Sequence, residues 1–209
     1  MLAAVPLTWI ICLLALRWID PPFTGVQIQR RVERWFSGRP YVKRYEPVTL
    51  SHISRHLQHA VIAAEDSRFH QHFGIDWKEL QAASSVSTEG ITLKRGASTI
   101  TQQLVKNLFF TTHRNPIRKA AEFFLAPAAE LLLGKERILE LYLNSVEWGP
   151  GVFGAQAAAE YHYRQTAAAL NREQAARLAA CLPAPRARQP ARMHHYSQLI
   201  IGRMEQMGW

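Results

Sequence analysis

Val61-Ile62-Ala63-Ala64-Glu65-Asp66-Ser67-Arg68-Phe69-His70-Gln71-His72-Phe73-Gly74-Ile75-Asp76 sets two adjacent carboxylates at the end of an apolar helical run. Apolar residues recur at three- and four-residue intervals from Ile53 onward, which predicts a helix over 53–66. A carboxyl group at a helix C-terminus lies near the negative pole of the macrodipole and beside apolar neighbours. Both influences favour its neutral form. That is one way a carboxyl acquires a pKa suited to general acid–base work. The plain alternative is a pair of ordinary surface acids, and the local sequence leaves both open.

The same periodicity continues outward in both directions. It predicts helices over 77–86, 99–110, 117–133, 135–146, 152–161, 172–182 and 191–207, with a shorter one over 26–36. Asn171 followed by Gln174 is a capping-box signature for the helix that starts at Arg172. No long alternating run argues for a sheet, although a short hairpin near the linker is compatible with the pattern. Residues 87–96 lack periodicity and carry turn formers at both ends, which predicts a mobile loop between two helices. The expected class is mainly α. Its divisions are an anchor over 1–19, a juxtamembrane linker over 20–50 and one catalytic-sized domain over 51–209.

Hydrophobic residues make up 48% of the 209, enough for a sizeable core and against wholesale disorder. The formal charge of +9 favours anionic partners: nucleic acid, an anionic membrane surface or a phosphate-bearing substrate. No nucleic-acid-binding motif accompanies it. Cys12 and Cys181 form neither a metal spacing nor a redox pair, and the first lies in an apolar N-terminal run. That run has no charge before Arg17. At about 1.5 Å per residue it is slightly short for a bilayer core of about 30 Å, a length that Arg17, Trp9 and Trp18 near the interfaces can complete. A cleaved signal peptide is the alternative, but no basic region precedes the run and no small-residue cleavage site follows it. Arg17, Arg30, Arg31 and Arg34 all follow the run, so the positive-inside rule alone would put the domain in the cytoplasm.

Three further clusters carry chemistry. Gly96-Ala97-Ser98-Thr99-Ile100-Thr101-Gln102-Gln103, with Lys106 beyond, offers Ser98 or Thr99 as a helix cap and first-turn amides as an anion site. A cap with a polar face explains the same residues, and both readings stand. Arg118, Lys119, Glu122 and Glu130 lie along one helical stretch, where a solvated ion-paired stripe is the alternative. With Arg114 and Lys106 nearby in sequence, this region is the best candidate for gripping a diphosphate. Pro127 should bend the helix, because it removes one backbone hydrogen bond. Lys135-Glu136-Arg137-Ile138-Leu139-Glu140-Leu141-Tyr142-Leu143-Asn144 reads by itself as a structural amphipathic helix.

Together, in this order and spacing, the four clusters resemble the peptidoglycan glycosyltransferases of family 51. The first motif matches at Glu65, Asp66, Phe69, His72 and Gly74, and the second at Gly96 and Ser98 through Gln103. The third matches at Arg118, Lys119, Glu122, Ala126 and Glu130, and the fourth at Lys135, Ile138, Leu139, Glu140, Tyr142, Leu143 and Asn144. Gln174, Tyr161-His162-Tyr163 and Pro127 depart from the family pattern. With no transpeptidase domain following, the chain looks like the monofunctional biosynthetic type.

The resemblance implies a lysozyme-like two-lobed α fold with a membrane-dipping jaw, and a single-pass protein of the bacterial inner membrane with a periplasmic catalytic domain. That placement takes precedence over the charge rule. It implies glycan-strand polymerisation in cell wall biosynthesis, with Glu65 as base and Glu122 as the second catalytic acid. Asp66, His72, Ser98, Thr99, Thr101, Gln102, Gln103, Lys106, Arg114, Arg118 and Lys119 are the expected substrate-binding residues. The expected partners are lipid II, the lipid-linked glycan chain, the membrane and other cell-wall synthases. A divalent cation, Mg²⁺ or Mn²⁺, would accompany the diphosphates, and no organic cofactor is expected. A glycan-cleaving enzyme of lysozyme-like type and a catalytically silent precursor-binding module are the alternatives.

Overall fold

The computed structural model describes residues 4–38, 40–84, 98–113 and 115–209. The loop expected over 87–96, Gly96 of the second motif and Arg114 lie outside the described residues.

The chain is helical, as its periodicity predicts. In order it forms α1 (Ala4–Ala15), α2 (Gly25–Phe36), β1 (Arg44–Tyr45), α3 (Arg55–Glu65), α4 (Trp77–Ser84), α5 (Ile100–Phe109) and α6 (Pro116–Ser145). Then come β2 (Glu147–Gly149), β3 (Val152–Phe153), α7 (Ala155–Tyr163), α8 (Arg172–Cys181) and α9 (His194–Gln206). Local chemistry sets the helix starts. Ser54, Thr99, Asn115 and Asn171 each accept an amide of the first turn of α3, α5, α6 and α8. Thr99, not Ser98, caps α5, and it does so as a full capping box with Gln102. The Asn171–Gln174 box forms as predicted.

Long α6 is two helices in series. Gly134 has φ 76° and ψ 164°, and it is the one non-helical residue within the element. The predicted division at 133/135 therefore falls where glycine's freedom at positive φ permits a break. Pro127 sits inside the first part with helical dihedrals, so the dihedrals carry no break there.

One expectation needs correction. Val152 and Phe153 form a strand and not the start of a helix, and α7 begins at Ala155. β3 is the middle of a three-stranded sheet, parallel to β1 and antiparallel to β2. Strands of two or three residues are too short for alternation to reveal. The stretch 20–50 carries β1 and the short helix expected over 26–36, formed as α2, and Arg30 of α2 pairs with Glu147 of β2 at 2.9 Å.

α3 is the buried spine, packed on α8 and α9, while α5 lies along α6. Leu57, Ala60, Val61 and Ile62 of α3 join Leu104, Ile138, Tyr142, Trp148 and Phe69 in the main core. α1 packs on α6 through Leu13, which is fully buried with Val105, Leu125 and Ala129. Arg137 joins this region to the domain, donating to the Leu16 carbonyl at 2.8 Å and pairing with Asp20 at 2.9 Å. Among the described residues, no helix is long and apolar enough to cross a membrane. Both cysteines are free, Cys12 exposed and Cys181 buried.

Candidate active site

Burial of Val61, Ile62 and Ala63 fixes α3, and its last residue, Glu65, then emerges half-buried between α5 and α6. Gln103 Nε2 donates to Glu65 Oε2 at 2.8 Å. The Tyr142 hydroxyl in turn donates to Gln103 Oε1 at 3.0 Å. Tyr142 is fully buried, and its phenol pKa is held well above the ordinary value by burial first and then by the charges of Glu65 and Asp66. It therefore stays a proton donor. That sets the Gln103 amide with its oxygen toward Tyr142 and its N–H toward Glu65, a geometry suited to an ionised carboxylate.

Tyr142 is the residue whose role the sequence concealed, since its helix reads as purely structural. The available signal was a phenol on an apolar face, where a buried hydroxyl needs a partner. Tyr142→Phe removes only that hydroxyl. Turnover should fall about two- to tenfold with KM little changed, the worth of one neutral hydrogen bond. Steady-state kinetics would show it, and unchanged turnover would leave Tyr142 a packing residue.

Asp66 points the other way. It is 6% exposed, bonds His72 Nε2 at 3.0 Å through both oxygens, and accepts the Ile100 amide at 3.0 Å. Thr99 donates to the Gly74 carbonyl at 2.6 Å, and Thr101 to Glu130 at 2.6 Å. Glu130 also meets Lys135 at 2.7 Å. Thr101 and Gln102 are 0% and 1% exposed. Asp66, His72, Thr99, Thr101 and Gln102, all expected on the substrate, thus face the interior: Asp66 ties the end of α3 to α5, Thr101 ties α5 to α6, and Gln102 closes the α5 cap with Thr99.

The remaining motif residues gather the charges. Glu122 is 3% exposed, with Arg118 Nε at 3.0 Å and Lys119 Nζ at 3.2 Å. Lys119 also donates to Ser98 Oγ at 3.1 Å, and Arg118 to the Thr111 carbonyl at 2.7 Å. Lys106 lies in the same field. Burial lowers its pKa, Glu122 and Glu65 oppose that shift, and Arg118 and Lys119 add to it. Glu65, Lys106, Arg118, Lys119 and Glu122 therefore form one electrostatic neighbourhood. A cavity of about 350 Å³ adjoins it, lined by Gln103, Lys106 and Asn107 together with Arg30, Glu147 and Arg186. The last three were not foreseen, because they come from distant parts of the chain.

These contacts also bear on a metal. Glu122 already faces two cations, which makes it a poor ligand for a divalent ion. Ligand atoms of Asp66, His72 and Asp76 lie within 4.8 Å of one another. Asp76, however, pairs with Arg68 at 3.2 Å and accepts the amides of Lys78 and Glu79. That cluster is a structural tie, and its donors do not fit a protein-held metal.

Residues 32–205 match the family model described as Transglycosylase, which covers both the site and its scaffold. The chain belongs to the transglycosylase family. It is 49% identical over 177 residues to a biosynthetic peptidoglycan transglycosylase of Pseudomonas syringae pv. syringae, covering 85% of this chain and 75% of that protein. A relative of the same name from Ectopseudomonas mendocina is 45% identical over 199 residues, covering 93% and 82%. Family membership fits a site with one half-buried glutamate beside a cluster of cations.

Proposed function

We propose that this chain is a peptidoglycan glycosyltransferase that polymerises lipid II into glycan strands. The observation that carries this reading is geometric: Gln103, which holds Glu65 at 2.8 Å, lines one cavity with Lys106, and Arg118 and Lys119 gather at Glu122 at 3.0 and 3.2 Å. A base and a cationic grip thus stand side by side. Glu65 takes the proton of the 4-hydroxyl of an incoming lipid II. The oxygen forms a bond to the anomeric carbon of the lipid-linked chain as the bond from that carbon to the diphosphate breaks, with inversion. Undecaprenyl diphosphate leaves with its charge already in place, so it needs cations more than a proton. Lys106, Arg118 and Lys119 supply them, and Arg114 joins them by resemblance to the family. Glu122 holds Arg118 and Lys119 in position.

A divalent cation fits this arrangement as a companion of the substrate's diphosphate, neutralising phosphate charge, and no step depends on it. The lysozyme-like lobes, the N-terminal membrane anchor and the periplasmic placement belong to the same proposal. Supporting the anchor, α1 leaves Leu7, Ile11 and Leu14 exposed on a helix without a charged residue. Other cell-wall synthases are proposed as partners on family grounds alone.

The test is polymerisation of labelled lipid II by the detergent-solubilised full chain, with products sized on a gel. Long glycan is the expected result. Lipid II bound but unpolymerised, with or without Mg²⁺, would leave a silent binding module. Shortening of preformed glycan would indicate a cleaving enzyme. The pH dependence of lipid II binding gives a second check. Lys106 has a lowered pKa, so the cationic form is lost as pH rises at values below those of an exposed lysine. KM should rise on that alkaline limb, and Lys106→Arg should move the limb upward because arginine stays charged.

A further inference from the structure

Beyond Val26, which is buried, helix α2 reverses the arrangement usual for a helix on a water-soluble domain. Gln27 and Gln29 are buried, and Gln29 meets Thr112 and Glu33. Arg30 reaches inward to Glu147. Ile28, Val32, Trp35 and Phe36 are instead exposed, by 48%, 42%, 80% and 83%. The ordinary arrangement places the apolar stripe against the core and the polar face in water. Arg31 and Arg34 border the outward stripe, and neither has an ion pair among the described residues.

Two cavities meet at this helix. One, of about 570 Å³, is lined by Gln27, Arg31, Tyr41 and Lys43 together with Phe23 and Ile28. The other, of about 410 Å³, is walled mainly by apolar residues, among them Ala15, Leu16, Ile19 and Leu108, and again by Phe23 and Ile28. These two residues form a common wall, so a cationic chamber adjoins an apolar one. Among the described residues, no carboxylate lines the first chamber.

Gln27 decides what the cationic chamber takes. The residue is 2% exposed, and its Oε1 accepts from Lys43 Nζ at 3.4 Å, which fixes the amide's orientation. Its Nε2 is then buried with no hydrogen-bond partner among the described residues. A buried N–H is costly to leave unmet, so the chamber calls for an acceptor. Two cations and an unmet donor beside an apolar slot suit an anionic amphiphile.

We propose that this is a binding site for one anionic membrane phospholipid. Its phosphate sits on Arg31, Lys43 and the Gln27 amide, and its acyl chains run past Phe23 and Ile28 into the apolar chamber. Neither chamber shares a lining residue with the cavity at Gln103 and Lys106, so the site stands apart from glycosyl transfer. Its seat on α2, tied to the cleft by Arg30 and Glu147, gives a phospholipid a way to fix the height of the cleft above a bilayer.

The test uses the full chain in detergent, titrated with short-chain phosphatidylglycerol or phosphatidylcholine and followed by native mass spectrometry. One retained phosphatidylglycerol is expected, with phosphatidylcholine at least tenfold weaker. Arg31→Gln with Lys43→Gln should weaken phosphatidylglycerol roughly thirtyfold at low salt, about one surface cation's worth each. Ile28→Glu should weaken it as well. These three residues are exposed, and an unchanged lipid-free melting midpoint would show that the variants fold. Equal retention of the two lipids, or undiminished binding by the double variant, overturns the proposal. Tighter binding of farnesyl diphosphate, displacing phosphatidylglycerol, would assign the chambers to an isoprenyl diphosphate instead. Binding of inorganic phosphate with no dependence on an acyl chain would reduce them to a phosphate pocket.

Discussion

Glu65→Gln should lower lipid II polymerisation by about 10²- to 10⁴-fold, the range set by loss of a positioned general base. The substitution keeps the side chain's size, and its amide oxygen can still accept from Gln103 Nε2, now 2.8 Å from Glu65. Folding and lipid II binding should therefore survive, and the loss should lie in kcat. Parallel measurement of turnover, KM and melting midpoint separates these outcomes. A folded variant within tenfold of the parent would remove Glu65 from the role of base. Glu122→Gln gives the contrasting pattern. Its carboxylate is buried between Arg118 and Lys119, which keep other partners in Thr111 and Ser98. Neutralising it should cost about 1–3 kcal/mol, the worth of charged hydrogen bonds, and loosen the placing of both cations, so stability and diphosphate binding should fall.

Gly74→Ala should be among the most damaging single-methyl changes to the fold. Gly74 has φ +82°, and an added Cβ would lie 2.7 Å from the Ala126 carbonyl carbon and 2.9 Å from Pro127 N. Both are backbone atoms of α6 and cannot rotate away. The left-handed conformation costs about 1–2 kcal/mol and the overpacking about 1–3 more. For a chain of this size that lowers Tm by roughly 5–20 °C. Gly134→Ala is the control, because Gly134 shares the positive φ but has nothing within 4 Å of the added carbon. Only the conformational part of the loss should appear there. If both alanines cost the same, close packing of Gly74 on α6 is not what fixes that residue. Because the Gly74 carbonyl accepts from Thr99, its displacement would also disturb the cap of α5 and, through it, Gln103.

Local chemistry in the sequence determined much of this protein. The apolar spacing in 53–66, the Asn171–Gln174 box and Gly134 between two helical runs each specify an element without reference to anything distant. Residue types alone left Glu65, Gln103, Lys106, Arg118 and Glu122 open between surface groups and chemistry, and it was the resemblance of the four clusters to a family that singled them out. Tertiary structure decided which way each one faces. Asp66 and Glu65 are neighbours, yet one is absorbed by His72 and the amide of Ile100 while the other meets Gln103. Period and propensity cannot distinguish them, because the helix ends between them and their directions depend on where α5 starts. Tyr142 joined the site and Thr101 turned inward to Glu130 for the same reason: a side chain's role follows the partner that packing supplies. The inward polar face of α2 is the clearest case. Its sequence reads as an ordinary amphipathic helix, and only docking against Thr112 and Glu147 reveals that the apolar side is the one left outside.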